Sequence, residues 1–70
     1  MNRRIASHEI VLENNSRRIL SVVEIQSGVV VKCYALTQEL PCTEWMPGEV
    51  VLRRDSEGCL RAYYNNVLIN

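Results

Sequence analysis

Apolar and polar residues alternate along most of this chain with the period of two that marks half-buried strands, and no segment carries a 3.6-residue period long enough for an ordinary helix. The pattern predicts a first strand over about residues 5–13, a reversal at Asn14-Asn15-Ser16 and a second strand over about residues 18–26. Another run follows Gly28, two more flank Gly58, and Val67-Leu68-Ile69 forms a short last strand after a tight turn at Asn65-Asn66. Residues 37–44, around Pro41, carry no alternation and read as an irregular connection or a single helical turn.

Glycine placement sets the expected registers. If Gly28 and Gly58 each supply the left-handed residue that closes a type I turn into a G1 bulge, the strands on either side are aligned. At Gly58 this places Arg54 opposite Leu60, Leu52 opposite Ala62 and Val50 opposite Tyr64. At Gly28 it places Ile25 opposite Val29, Val23 opposite Val31, Ser21 opposite Cys33 and Ile19 opposite Ala35, all on one apolar face. A two-residue Ser27-Gly28 turn shifts that register by one and is expected to set Glu24 and Gln26 among buried valines. Pro47-Gly48 has the signature of a type II turn, a third reversal that turns Trp45 toward Val50 on the core side.

Six to seven short strands joined by tight turns predict an all-β fold, a small antiparallel meander forming a compact barrel or two-sheet sandwich. Seventy residues correspond to one domain, 1–70, with a thin stability margin. With no Phe, one Trp and three Tyr, the interior is expected to consist mainly of Val, Ile and Leu.

Charge and chemistry narrow the functional classes. Eight basic residues balance eight acidic ones, which removes the simplest electrostatic case for nucleic acid or an anionic membrane. No run has the length of a membrane span or a signal-peptide core, and three unpaired-looking cysteines suit reduced thiols, so the expected location is cytoplasmic. His8 alternates with Ala6, Ile10 and Leu12 and has only Ser21 as a conceivable catalytic neighbour, so it reads as structural. Cys33, Cys42 and Cys59 lack the close pairs of a structural zinc site. Neither a catalytic residue, a metal nor a cofactor is expected, and no small-molecule substrate follows.

Two binding surfaces remain. The outer face of the second hairpin carries Leu20, Val22, Val30, Tyr34 and Leu36, an apolar set beyond what one core requires. It predicts a non-catalytic protein-binding or self-associating β-domain, its partner a second copy or another protein. Alternatively, Arg53, Arg61 and Tyr63 share a strand face that could grip phosphates and stack bases of single-stranded nucleic acid. Neighbouring acids at Glu49, Asp55 and Glu57 weaken its field.

Overall fold

The computed structural model describes residues 2–70. Six strands, β1 (Asn2–Val11), β2 (Arg17–Gln26), β3 (Val29–Ala35), β4 (Thr43–Arg54), β5 (Leu60–Tyr64) and β6 (Val67–Ile69), form one sheet in the order β3-β2-β1-β4-β5-β6. The sheet curls into a half-barrel, so that β3 comes round to meet β5. The all-β class read from the alternation is the class observed.

The path through the sheet is not a pure meander. β4 lies beside β1 and runs parallel to it, because residues 36–42 carry the chain from β3 across β2 and β1 to the far side of the sheet. Arg4 fastens this crossing by donating to the carbonyl of Pro41 at 2.9 Å. Val22 and Ala6, paired neighbours on β2 and β1, are both buried.

The Gly58 register is the expected one, with Leu52 opposite Ala62 and Arg54 opposite Leu60. Asp55 N–H donates to Cys59 O at 2.9 Å and Gly58 N–H to Asp55 O at 3.0 Å, closing a turn whose last residue is left-handed at φ 81°. The β1–β2 turn repeats this geometry without a glycine. Leu12 N–H donates to Ser16 O and Asn15 N–H to Leu12 O, with Asn15 at φ 69°. Asparagine tolerates that conformation better than most residues. Asn65 and Asn66, at φ 52° and 64°, make the expected tight turn before β6.

The Gly28 register differs from expectation. Ser27 and Gly28 both have positive φ, 51° and 81°, as a two-residue type I′ turn requires, and Gln26 pairs with Val29 and Ile25 with Val30. The twist of this turn matches the twist of the flanking strands. A shift between Glu24 and Ile25 then restores the alignment of inward side chains, so that Val23 faces Cys33 and Ser21 faces Ala35. Val30 and Cys33 pack on the core, whereas Val31 is exposed. The expected burial of Glu24 and Gln26 does not occur, because the bulge follows the turn at once.

Pro47-Gly48 does not reverse the chain either. β4 continues through it, and both residues stand opposite the single position His8, since Ser7 pairs with Met46 and Glu9 with Glu49. The left-handed Gly48, φ 96°, accommodates the extra residue. Trp45 therefore stays outside the core at 47% exposure. The alternation of β1 breaks at the same level: Ile5 and Ile10, five residues apart, both enter the core.

Candidate interaction surface

Of the five residues expected to form an apolar interface, only Leu20 is more than partly exposed. Val22 has no exposed surface and Val30 retains 8%, the second as a member of the core cluster. Neither side chain can meet a partner in the folded domain. Tyr34 is half-buried and its hydroxyl donates to the carboxylate of Glu24, which Arg4 contacts from the other side at 3.4 Å. Leu36 is partly buried and its N–H donates to Leu20 O at 3.0 Å, the last bond of the chain before it leaves the sheet edge.

That departure creates the most open stretch of the sheet. β2 extends to Arg17, but β3 pairs with it only from Gln26 back to Ser21. Residues 17–19 are consequently paired with β1 on one side and lack a strand on the other. Leu20 adopts φ 48°, an uncommon conformation for a residue with its side chain. The left-handed step ends the alternation of Ile25, Val23 and Ser21, and Ile19 swings out of the core side to which the sequence pattern assigned it. It is 78% exposed and Leu20 is 43% exposed. Sequence reasoning missed Ile19, since nothing local in the sequence marks the end of β3 at Ala35.

Arg17 and Arg18 border this edge and differ in electrostatic state. Arg17 bridges Glu9 at 3.1 Å and Glu49 at 2.7 Å, and those bonds, Glu49 foremost, strengthen its hold on its proton. Arg18 makes no ion pair or hydrogen bond among the described residues. Lys32, also without an ion pair, stands across from Glu24. Arg53 lies over the ring of Tyr63 at 4.4 Å.

The alternative surface is engaged internally. Arg61 donates to Asp55 at 2.9 Å and to Gly28 O at 2.9 Å, joining the β4–β5 turn to the β2–β3 turn across the open side of the half-barrel. A side chain at Gly28 would meet this guanidinium, its Cβ falling 2.7 Å from Nη1. Arg53 covers one face of Tyr63. Of the three expected nucleic-acid contacts, one arginine closes the fold and the other blocks a stacking platform.

Among the described residues no chemistry-bearing cluster emerges elsewhere. Nδ1 of His8 accepts the N–H of Gly48 at 3.0 Å, its ring meets Trp45 edge-on at 4.8 Å, and Ser21 donates to Ile19 O. Imidazole and hydroxyl thus serve the backbone and not each other. The cysteines are separate and free; burial pushes the Cys33 thiol above its ordinary range. Among the described residues no group of His, Cys, Asp or Glu is arranged to hold a metal, and no helix is long and apolar enough to cross a membrane. A cleft of about 320 Å³ beside Arg3, Arg4 and Cys42 has both guanidinia turned to carboxylates, Arg3 to Glu44 at 2.7 Å and Arg4 to Glu24. The chain matches no known protein family, no curated protein and no solved structure.

Proposed function

We propose that this protein is a non-catalytic binding domain of a cytoplasm that accepts an extended strand, from a second copy or from another protein, at the open edge of β2. The single observation that carries the reading is the mismatch of strand lengths. β2 runs four residues beyond its pairing with β3; Leu20 O still takes the N–H of Leu36, but the backbone of residues 17–19 has no strand on that side and two large aliphatic side chains stand in water beside it. Added strands bind through main-chain bonds, with alternate side chains covering pockets or exposed apolar groups.

Other edges are better guarded. β3 carries its bulge and Lys32, and β6 has only three residues, both recognised ways of discouraging edge pairing. At the 17–20 edge one of the two charges, Arg17, is already turned onto Glu9 and Glu49, which leaves Arg18 as the unpaired cation there.

The test is a nuclear magnetic resonance titration of the ¹⁵N-labelled protein with a peptide alternating valine and threonine, joined to sedimentation across a dilution series. Strand addition is expected to shift the amides of residues 17–20, and Ile19→Lys to weaken the effect. Unmoved amides at saturating peptide, together with a monomer at every concentration, would overturn the reading.

A further inference from the structure

Resting on the strand-addition reading, we infer that the segment taken up at this edge is acidic as well as apolar: an extended peptide of another protein with a carboxylate opposite Arg18 and aliphatic side chains against Ile19 and Leu20.

The inference starts from Arg18. Five of the seven arginines form ion pairs, and Arg53 is seated on an aromatic ring. Arg18, unlike these six, has neither a carboxylate nor a ring beside it among the described residues, and it lies on the strand edge that lacks a neighbour. Its neighbour Arg17 already holds two carboxylates and adds little net field. Directly opposed charges across a strand pair stabilise, like charges destabilise, and a desolvated arginine–carboxylate contact is among the stronger hydrogen-bonded pairs.

The same charge disfavours a second copy. Two identical edges meeting antiparallel put Arg18 either opposite its own equivalent or within two residues of it. Each such arrangement gathers unpaired arginines on one short ladder. Four edge residues also provide too little surface for a two-fold interface of standard size, which buries about 1,200 Å² or more. An incoming peptide needs no such area from this edge alone, because its other residues remain free to make contacts of their own.

Side-chain placement specifies the rest of the ligand. Arg18 pairs with the core residue Ile10 and so stands at the rim of the inner face, whereas Ile19 pairs with Glu9 on the outer face. A strand with acidic and aliphatic residues in alternation can therefore answer the cation on one side and the exposed isoleucine on the other.

Three fluorescein-labelled seven-residue peptides, alternating valine with glutamate, lysine or threonine, separate the possibilities by anisotropy at about 20 mM ionic strength, where surface charges act over tens of ångströms. The glutamate peptide is expected to bind the intact protein at least tenfold more tightly than the lysine peptide, with amide shifts confined to residues 17–20 and Leu36. Arg18→Glu, at an exposed position, is expected to invert that order. Equal binding of all three peptides at residues 17–20 would overturn the acidic specificity while leaving strand addition intact. Absence of binding by any of them would overturn both. A preference for glutamate that survives Arg18→Glu would place the site elsewhere and refute the inference.

Discussion

His8 holds Gly48 by its backbone: Nδ1 of the imidazole accepts the glycine N–H at 3.0 Å, while the hydroxyl of the adjacent Ser7 donates to the glycine C=O at 2.9 Å. Two consecutive side chains of β1 thus satisfy both polar groups of the residue that bulges out of β4. The parallel pairing of β1 and β4 is interrupted there and resumes at Glu9 and Glu49. Ser7→Ala is expected to cost about 1 kcal/mol by leaving a carbonyl without its donor. His8→Ala should cost somewhat more, about 1 to 2 kcal/mol, since the edge-on contact with Trp45 goes as well. Urea midpoints read both effects, and midpoints unchanged by either substitution would exclude the clamp.

Gly58 and Asn15 occupy equivalent places in two turns of the same geometry, which makes a comparison of substitutions informative. Nothing lies within 4 Å of a Cβ built on Gly58, so a substitution there meets only the backbone penalty. Gly58→Ala is expected to destabilise by about 1 to 2 kcal/mol, the left-handed cost of an ordinary residue. Gly58→Asn should cost clearly less. Equal losses in thermal melts would contradict the assigned conformation.

Val22 distinguishes a buried position from an interface. Its alternation with Leu20 suggests a surface role, yet it has no exposed surface. Val22→Glu is expected to unfold the domain, because an unpaired carboxylate there costs several kcal/mol, a large share of the stability of a small domain. Ile19→Lys should leave the fold unchanged, as the side chain already stands in water. Circular dichroism of the two variants at equal concentration checks the contrast.

Acid should weaken the fold through a few identifiable carboxylates. The Arg61 guanidinium, aided by the N–H groups of Cys59 and Glu57, holds Asp55 below its ordinary value of 3.8. The Tyr34 hydroxyl does the same for Glu24 and Arg3 for Glu44, both below 4.5. Groups with depressed folded values bind fewer protons folded than unfolded, so the stability they contribute is present above the unfolded values and is lost as pH falls through the folded ones. Stability should therefore be level near neutrality and decline below about pH 5. Asp55→Asn is expected to flatten the decline, and an unchanged slope in urea titrations between pH 6 and 2 would assign it to other groups.

Arg61 shows how a residue with a plausible surface role can be claimed by the fold. Its planar head reaches Asp55 and Gly28 at once, a geometry that an ammonium group reproduces poorly. Arg61→Lys is expected to loosen the link between the β2–β3 turn and β5, seen as a changed carbonyl ¹³C shift at Gly28, whose C=O accepts the guanidinium, with the β4–β5 pairing retained. An unchanged carbonyl shift in that variant would deny the link.

Local chemistry in the sequence determined the strand class, the turn at Gly58 with its register, the turn at Asn65-Asn66 and an aliphatic interior. Each of these depends on neighbours a few residues apart, where alternation and left-handed tolerance act directly. Tertiary structure alone decided that Pro47-Gly48 bulges instead of turning, that Ser27-Gly28 makes a two-residue turn corrected by a bulge, and that β1 and β4 run parallel. It also decided which apolar residues remain in water: Val22 is covered and Ile19 is not, although both lie on one strand. The reason is physical. Burial on a sheet depends on what crosses or pairs with it from distant parts of the chain, and the departure of the chain after Ala35, set by no local signal, fixes the end of the ladder beside Ile19.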